Sequence, residues 1–498
     1  MFTALVVLFL SVLIVSFILD NLKNSKRPPG PVRYPIIGNL PQILAADKYV
    51  YKAYFKLAKI YGGIMSLKVG SQEMVILSTL DVMKELLDKD EVGGRMWTGV
   101  LVDRANGKNL GIAFSQGRHQ GILKVFAQKK LREFGFGKRE SMESIMSIEL
   151  QEMMEGLRKV AKTNGGKHRM ERFFQLSLLN VVWTMLAGKR YSHDDPRLHK
   201  LLKLNSMWFQ SGNFGGGIVI AYPFLRFLFP NLLGYNLQKE ANAKIYEFLT
   251  EMIAEHRSRE GYDTDPQSFN DIFLAQIKAD ADKEWTAFTD EQFKVVCYDM
   301  FQAGFETTSN TMAFAILFMV LNQEVQAKIQ KELDAFYPAG SVASMNDRDK
   351  IPYTSAAVHE VFRLGNILPF SDPRNTMEDV NFRGYFIPKD TPVAFNSFSI
   401  MRSEELWGDP ENFRPERFLG PDGKLNEKAK MMHIGFGVGK RSCLGETLAQ
   451  TTVFMAFTTL VRNFKFEPVP NKPLPTTEPV MGIILSPQPY DLIVKARD

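Results

Sequence analysis

The sequence predicts a mainly α-helical protein with a small β region, preceded by a single N-terminal membrane helix. Three observations carry this prediction: an uncharged apolar run at 2–19, long segments whose apolar residues recur at spacings of three and four, and short β-type alternations at 65–77 and 379–398. The chain has 498 residues, which exceeds the size at which one ordinary core keeps growing. We therefore expect one large helical fold or two or more subdomains.

The N-terminal run is long enough for one bilayer span at about 1.5 Å per residue. A cleaved signal peptide is the alternative, but the run lacks a basic beginning and a small-residue cleavage site, and it is longer than a usual signal core. Lys23, Lys26 and Arg27 follow directly, so the positive-inside rule places everything downstream on the cytoplasmic side. Pro28-Pro-Gly-Pro31 cannot continue a helix and indicates a stiff spacer.

The remaining elements follow from hydrophobic periodicity and from residues that begin or end helices. Two β-type runs around Gly70-Ser71 predict a hairpin at 65–77. Thr289-Asp-Glu-Gln292 is typical of a capping box, and it opens a long apolar helix that runs to about Leu321. Three consecutive glycines at 215–217, two prolines and a run of aromatics predict a mobile apolar flap at 209–235. Further helices are predicted at 143–160, 173–186, 246–257, 323–336 and 353–364, and strands at 379–398 around Gly384 and Pro388.

Composition and charge narrow the class of protein. The hydrophobic fraction is 45% and the aromatic fraction 12%, which suits either an enclosed apolar ligand or an ordinary core. The net charge of +6 is too small and too dispersed for a nucleic-acid-binding protein. The segment 118–139 is locally basic and predicts either a docking face for an acidic protein or a solvated helix face. Cys297 and Cys443 are too far apart in sequence for a disulfide framework, so we expect two free thiols in a reducing compartment.

The glycine-rich stretch at 433–446, which contains Cys443, does not match either common phosphate-binding pattern. Gly439-Lys440 is followed by Arg441 where a P-loop needs Ser or Thr, and Lys440 stands where the dinucleotide motif needs its third glycine. The alternative is a loop that lets a flat partner approach the backbone, followed at Leu444 by a helix whose positive end favours a thiolate at Cys443. A thiolate there can ligate iron, whereas a structural buried cysteine is the other interpretation.

Phe436, Gly439, Arg441, Cys443 and Gly445 form the pattern Phe-x-x-Gly-x-Arg-x-Cys-x-Gly, in which the chain strongly resembles the cytochrome P450 family. Four further motifs agree with the family order, and the resemblance spans nearly the whole chain: Pro28-Pro-Gly-Pro31, Ala303-Gly-Phe-Glu-Thr-Thr308, Glu360-x-x-Arg363 and Pro415-Glu-Arg-Phe418. The resemblance is greatest to the microsomal, reductase-dependent group, which includes drug-metabolising enzymes, steroid hydroxylases and arthropod hormone-pathway epoxidases. It implies a P450 fold with a membrane anchor at 1–22, a basic and proline-rich linker at 23–34 and a catalytic domain at 35–498.

The resemblance also implies roles for particular residues. Cys443 would ligate the iron of a haem (iron protoporphyrin IX), and its thiolate would favour cleavage of the O–O bond. Phe436 and Gly445 would contact the haem, and Arg374 and Arg441 would neutralise its propionates. The remaining implied roles are proton relay to oxygen by Glu306 and Thr307, and a structural lock formed by Glu360, Arg363 and Arg417.

One position departs from the family pattern. The related helix usually carries Trp-x-x-x-Arg, and the register from Gly117 and 134–138 places Gln120 and Lys124 there instead. Lys124 keeps a positive charge toward a propionate without the planar guanidinium fork. The resemblance further places pocket linings at 97–113, 207–230, 301–306, 367–372 and 480–485.

The predicted function is a monooxygenase that inserts one oxygen atom from O2 into a lipophilic small molecule, by hydroxylation or epoxidation. NADPH would supply electrons through a flavoprotein reductase, with cytochrome b5 as a second protein partner. The predicted location is the endoplasmic reticulum membrane, crossed once, with the catalytic domain on the cytoplasmic side. Alternatives are a methyl farnesoate-like terpenoid hormone epoxidase or a steroid hydroxylase as the specific activity, and a P450-fold isomerase or dehydratase, or a haem binder without turnover, as the class.

Overall fold

The computed structural model describes residues 2–22, 26–96, 99–133, 139–170, 172–211 and 218–497. Several sequence predictions fall outside the described residues. They concern Lys23 in the basic linker, Trp97 in a pocket lining, the segment 134–138 used for register, and residues 212–217 of the predicted flap.

Within the described residues the chain is mainly helical, as predicted. The α-helices are α1 (Phe2–Asn21), α2 (Leu40–Ala46), α3 (Val50–Tyr61), α4 (Leu80–Leu87), α5 (Gly99–Arg104), α6 (Arg118–Glu133), α7 (Arg139–Lys162), α8 (Gln175–Ala187), α9 (Pro196–Ser211), α10 (Ile218–Ala221), α11 (Leu225–Leu228), α12 (Tyr235–Ser258), α13 (Phe269–Ala279), α14 (Asp290–Leu321), α15 (Gln323–Phe336), α16 (Pro352–Gly365), α17 (Ser397–Met401), α18 (Glu404–Trp407) and α19 (Glu446–Asn463). The helices predicted from periodicity correspond to α7, α8, α12, α14, α15 and α16.

In the described ranges the β region is small and divided among four sheets. The strands are β1 (Ile64–Val69), β2 (Gln72–Leu77), β3 (Lys167–Met170), β4 (Arg374–Asn375), β5 (Val380–Phe382), β6 (Tyr385–Ile387), β7 (Pro392–Phe395), β8 (Phe464–Glu467), β9 (Pro479–Val480), β10 (Ser486–Pro487) and β11 (Tyr490–Ala496). Their orders are β1-β2-β7-β4, β3-β11-β8, β5-β6 and β9-β10. The β2–β7 pair is parallel and the other pairs are antiparallel.

The two strand regions predicted from alternation are confirmed. In the hairpin, Ile64 pairs with Leu77 and Val69 pairs with Gln72, so Gly70 and Ser71 form the turn. The region 379–398 contains β5, β6 and β7. The β3-β11-β8 sheet was not predicted, because its strands are short and pair across long sequence separations without a local turn signal.

Helix α14 runs through the centre of the fold and packs against α8, α12, α16 and α19. The Thr289 side chain accepts a hydrogen bond from the Gln292 N–H, as the capping pattern predicts. The reciprocal half of the capping box is replaced, because Gln292 Oε1 accepts instead from Gly111 N–H at 2.8 Å. This contact joins the start of α14 to the loop that follows α5.

Two described helices are long and apolar enough to cross a membrane, α1 and α14. They differ in their surroundings, because the apolar window of α1 has no buried residue, whereas 72% of that of α14 is buried inside the protein. Helix α14 is therefore a core helix of the folded domain. The end of α1 contacts the remainder of the chain through an Asp20–Lys68 ion pair at 2.7 Å and through the Asn21 side chain, which donates to Arg33 O at 2.8 Å.

The described part of the predicted flap contains the short helices α10 and α11 and a series of turns. Its surface is apolar, with five large side chains that are between 51% and 83% exposed: Phe224, Phe227, Leu228, Phe229 and Leu232. The Tyr222 hydroxyl donates to Ile36 O at 2.8 Å, and Ile36 is itself exposed. This apolar surface, which we term the flap face, thus lies beside the segment that follows α1.

Candidate active site

A cavity of about 400 Å3 lies between α14 and the loop that carries Cys443. Cys443 and Thr307 both line it, although 136 residues separate them along the chain. Other lining residues come from α6, α8, α9, α16 and α19 and from the segments 112–114, 366–374 and 483–484. Its volume falls within the range of about 300–1,000 Å3 that is usual for small-molecule sites.

The Cys443 loop is shaped by its own backbone. Cys443 N–H donates to Phe436 O at 2.8 Å, so the ends of the motif meet, and the Phe436 ring packs against Phe362 on α16 at 5.7 Å. The thiol is exposed only toward the cavity and is otherwise enclosed by protein. This enclosure raises its pKa above the ordinary value, and a hydrogen bond from Gly445 N–H opposes the rise.

The sequence predicted that the positive end of the following helix would favour the thiolate, and the Gly445 N–H at that end lowers the pKa of Cys443 in the predicted direction. Helix α19 begins at Glu446 with Gly445 as its N-cap, and burial outweighs the hydrogen bond from Gly445 N–H. A cation bound at Sγ would further stabilise the thiolate.

Two glycines of the stretch at 433–446 leave open space toward the cavity. A Cβ added at Gly435 or Gly445 would meet no atom of the described part of the chain within 4 Å, and both residues line the cavity. Gly445 has φ −96°, which any residue adopts, so its backbone does not require glycine. Gly439 is different, because its φ of +63° favours glycine and a Cβ would lie 2.9 Å from Leu87 O. The open space therefore suits a flat group lying against the loop.

Four cations converge on one side of this cavity: Arg95, Lys124, Arg374 and Arg441. Burial, with repulsion from Arg95, lowers the pKa of Arg374 to about 9 and that of Arg441 to about 9. Arg374 donates to Leu87 O and Val438 O, each at 2.6 Å, and Arg441 Nε donates to Gly93 O at 2.8 Å. Arg441 Nη1 is buried and has no hydrogen-bond partner among the residues that the structure describes.

This cluster fits an anionic group that the protein does not itself supply. An unpaired guanidinium nitrogen and several buried, mutually repelling cations are costly without a counter-ion. A haem offers two carboxylates at the edge of a flat apolar ring, which matches the cations, the open glycine positions and the single thiol. The residues present therefore fit a haem, whose iron Cys443 would ligate and whose propionates Arg374 and Arg441 would neutralise.

The two departing residues, Gln120 and Lys124, also line the cavity. Lys124 Nζ donates to Lys440 O at 2.6 Å and to Ser442 O at 2.7 Å, and burial lowers its pKa to about 8. The Gln120 amide donates to Ile112 O at 3.3 Å. Lys124 therefore holds the Cys443 loop, and it does not belong to the exposed part of the basic segment.

The two residues expected to relay protons are separated by the structure. Thr307 lines the cavity and its hydroxyl donates to Ala303 O at 2.9 Å. Glu306 is buried away from the cavity, where it accepts from Ser206 at 3.0 Å and from Gln175 at 3.1 Å. Burial raises the pKa of Glu306 to about 7. Thr307 therefore faces the cavity and Glu306 does not, and the proton-relay role expected for the pair stays a prediction.

Glu360, Arg363 and Arg417 form one buried ion-pair cluster. Glu360 Oε2 accepts from Arg363 Nε at 2.6 Å, and Oε1 accepts from Arg417 Nε at 3.0 Å. This ion-pair cluster is connected to the Cys443 loop through Asn426. The Asn426 amide donates to Arg417 O at 3.0 Å, and Asn426 is the N-cap of the 3-10 helix that ends at Phe436.

A second buried polar cluster in the cavity wall was missed from the sequence. Arg104 of α5 contacts Asp299 and Gln302 of α14, and all three line the cavity. The available signal was Asp299 itself, a charged residue within an apolar helix, where burial without a partner is costly. Arg104 carried no comparable signal, and nor did Arg95 in the cation cluster.

Comparison with known proteins decides the family. A cytochrome P450 family model matches residues 28–494. The chain belongs to the cytochrome P450 family. A farnesoate epoxidase from Bombyx mori is 30% identical over 499 residues, which cover 98% of this chain and 99% of the relative. Cytochrome P450 2J5 from Mus musculus is 31% identical, covering 98% and 96%, and cytochrome P450 1A1 from Canis lupus familiaris is 31% identical, covering 93% and 88%.

The family and these relatives identify the chain as a P450 monooxygenase. The mainly α fold with small sheets agrees with this identification. A haem-thiolate centre is implied by the family, and Cys443 is the cysteine that lines the cavity. Cys297 is buried in α14, where its thiol donates to Asn270 Oδ1 at 3.5 Å, and burial raises its pKa.

Proposed function

We propose that this P450 oxidises a lipophilic small molecule at the endoplasmic reticulum membrane, using electrons that NADPH supplies through a flavoprotein reductase. The observation that carries the proposal is that the Cys443 thiol and the Thr307 hydroxyl line one cavity, beside a cation cluster with an unpaired nitrogen. When bound, the haem supplies the activation of O2 for transfer of one oxygen atom. The other steps belong to residues of this chain.

Each residue of the site has a proposed task in this scheme. Arg374 and Arg441 bind the propionates, and Phe436 and Gly445 form the surface against which the ring lies. Lys124 holds two carbonyls of the same loop and adds positive charge near its edge. Thr307 presents its hydroxyl to the cavity, where a rotation away from Ala303 O directs its proton inward. Glu306 lies on the side of α14 that is turned away from the cavity. Its raised pKa of about 7 leaves it partly protonated near neutral pH, so it can supply protons to the site.

The reductase and cytochrome b5 are proposed to dock near the Cys443 loop. Lys129 and Arg132 of α6 are exposed, and Lys130 is partly occupied by an ion pair with Glu133 at 2.9 Å. Helix α6 also provides Lys124, which contacts the loop directly. An acidic partner surface at this point would lie close to the proposed haem site.

The membrane arrangement is proposed from α1 and the flap face. The apolar helix α1 would cross the bilayer once, and the basic linker would keep the catalytic domain on the cytoplasmic side. The flap face exposes five large apolar side chains beside the segment that follows α1, so it would rest in the lipid interface.

We propose terpenoid epoxidation as the specific reaction, because the chain is similar over nearly its whole length to a farnesoate epoxidase. A steroid hydroxylase is the second candidate, since the cavity wall is largely apolar.

A turnover experiment tests these proposals. The full chain would be co-expressed with a flavoprotein reductase in microsomes and supplied with a panel of isoprenoid esters, isoprenoid acids and steroids. We expect an NADPH-dependent product that has gained one oxygen atom, with an epoxide from an isoprenoid substrate. A rearranged or dehydrated product formed without NADPH would contradict the monooxygenase proposal, and oxidation of steroids alone would contradict the choice of substrate.

A further inference from the structure

The amine of Lys124 is part of the structure of the Cys443 loop. Lys124 Nζ donates to Lys440 O at 2.6 Å and to Ser442 O at 2.7 Å, and the residue is only 9% exposed. Ser442 O belongs to the peptide group that carries the N–H of Cys443, and this N–H donates to Phe436 O at 2.8 Å. Lys124 therefore fixes and polarises the peptide group directly before the thiol, since linked hydrogen bonds strengthen one another.

The charge of Lys124 is not cancelled by a carboxylate. Within the described part of the chain, no carboxylate forms an ion pair with its amine. The ionisable groups with the largest effects on it are Cys443 and three cations, Arg95, Arg374 and Arg441. Burial and these cations lower its pKa to about 8, so most of the amine keeps its proton at pH 7. The two carbonyl oxygens carry only partial charges, so the positive charge of Lys124 still acts on the thiol.

The two positions that depart from the family pattern both donate to backbone carbonyls. Where the pattern has arginine, Lys124 lacks the planar fork that binds a carboxylate through two parallel hydrogen bonds. Where the pattern has tryptophan, the Gln120 amide donates to Ile112 O at 3.3 Å. The propionates of a bound haem would still meet Arg374 and Arg441 in the cavity wall. The site therefore does not require Lys124 as a propionate partner.

We propose that Lys124 acts on the Cys443 thiolate through the Ser442–Cys443 peptide group, and that its charge makes the bound iron easier to reduce. Lys124 is a positioning residue, because it contacts the loop and not the reacting atoms. In the step concerned, ferric iron takes one electron from the flavoprotein reductase and becomes ferrous, so the site gains one negative charge. A neighbouring cation stabilises the more negative state. This inference rests on the proposed function for the reductase as the source of the electron.

Other contacts support the Cys443 loop independently of Lys124. Phe436 O accepts from Cys443 N–H at 2.8 Å, and Arg374 donates to Val438 O at 2.6 Å. Loss of the Lys124 amine should therefore leave the loop folded. The effect of the charge on the iron can then be measured in a site that is otherwise intact.

The test is the midpoint potential of the full haem-loaded chain, measured by dye-mediated redox titration at pH 7 without NADPH, reductase or substrate. Lys124→Met removes the charge and both hydrogen bonds but keeps a long, unbranched side chain. At a fixed electrode potential we expect the ratio of ferrous to ferric iron to fall about tenfold, which corresponds to about 59 mV for one electron. A potential equal to that of the wild type, or higher, would overturn the proposal.

The conservative variant Lys124→Arg tests whether charge is the cause. It keeps a cation at the same position, so it should recover most of the potential that Lys124→Met loses. Equal losses in Lys124→Arg and Lys124→Met would overturn the proposal, because the shift would then not depend on the charge.

Two control variants separate charge from packing. Gln120→Leu removes a hydrogen bond to a backbone carbonyl one helical turn away and changes no charge. Lys159→Met removes a charge whose side chain is 75% exposed. Both should keep the wild-type potential, because water and salt screen an exposed charge. A fall in Gln120→Leu equal to that in Lys124→Met would overturn the proposal, since it would show a general disturbance of the cavity.

The carbon monoxide difference spectrum checks that each variant keeps its thiolate. Lys124→Met should retain the thiolate-type absorption, since the other contacts still hold the loop. If Lys124→Met does not fold or loses that absorption, Lys124→Gln takes its place, because an amide keeps a donor toward the loop carbonyls and carries no charge. Lys124→Gln should show the same fall in the ratio of ferrous to ferric iron, and a wild-type potential in it would overturn the proposal.

These potentials are measured without turnover, so they are independent of the proposed function. An unchanged potential in Lys124→Met would overturn the role of Lys124 even if the enzyme is an active monooxygenase. Conversely, a lowered potential in a chain without NADPH-dependent turnover would support the role of Lys124 and contradict the proposed function.

Discussion

Replacing Glu360 with Gln should destabilise the fold strongly, because it removes the counter-ion of two buried guanidinium groups. Glu360 accepts from Arg363 Nε at 2.6 Å, Arg363 Nη2 at 2.8 Å, Arg417 Nε at 3.0 Å and Arg414 N–H at 2.8 Å. The side chains of Glu360 and Arg363 are fully buried and that of Arg417 is 1% exposed.

The expected loss follows from these contacts. Hydrogen bonds to charged groups contribute about 1.5–3 kcal/mol each, but the arginines keep their backbone carbonyl partners, so the sum is an upper bound. Breaking one partner of a buried pair typically costs about 3–5 kcal/mol. We therefore expect the free energy of unfolding to fall by about 3–5 kcal/mol in Glu360→Gln.

Urea unfolding of the haem-loaded chain, followed by circular dichroism, would measure this loss. The matched control is Glu255→Gln, which removes a Glu255–Lys189 pair whose side chains are 61% and 47% exposed. An exposed pair should contribute less than about 1 kcal/mol. If the two variants lost similar stability, the cluster would not be the lock that its geometry suggests.

Three further predictions concern the cavity. Arg441→Ala should release haem to an acceptor protein much faster than Lys124→Ala. We expect the free energy of haem binding to fall by about 2–3 kcal/mol in Arg441→Ala and by about 1 kcal/mol in Lys124→Ala, because Arg441 has an unpaired nitrogen whereas Lys124 already donates to loop carbonyls. Equal release rates would contradict this order. Thr307→Ala should keep haem and substrate binding but divert NADPH electrons to peroxide, with recovery in Thr307→Ser, and unchanged coupling of NADPH to product would argue against a proton-transfer role. Burial raises the folded-state pKa of Glu306 from 4.5 to about 7, so its favourable contribution is present below pH 4.5 and is lost as the pH rises toward 7, by roughly 3 kcal/mol in total. Relative to wild type, Glu306→Gln should therefore gain stability across that window, and a pH-independent difference in urea midpoints would refute the assignment.

The parts of the site that could be predicted from sequence are local in the chain. The Cys443 motif spans ten residues, and Glu360 and Arg363 are one helical turn apart, so spacing alone brings their groups together. The hairpin and the long helices were likewise predictable from periodicity.

The parts of the site that could not be predicted depend on the direction of a side chain or on a partner that is distant in the sequence. Glu306 and Thr307 are adjacent, and neighbouring residues on a helix point about 100° apart, so one faced the cavity and the other faced α8 and α9. Lys124 lies in a basic segment, and only the packed structure shows that its amine holds the Cys443 loop. Arg104 and Asp299 meet across 195 residues, a contact that no local pattern encodes.

The central claim is that Cys443 binds haem iron as a thiolate, and the carbon monoxide difference spectrum of the reduced chain tests it most directly. We expect the thiolate-type absorption in the wild type and in Cys297→Ser, whose position is buried away from the cavity. Cys443→Ser should lose that absorption while keeping most of its helical circular dichroism, because one sulfur atom is replaced by oxygen. A thiolate-type spectrum retained in Cys443→Ser would contradict the account.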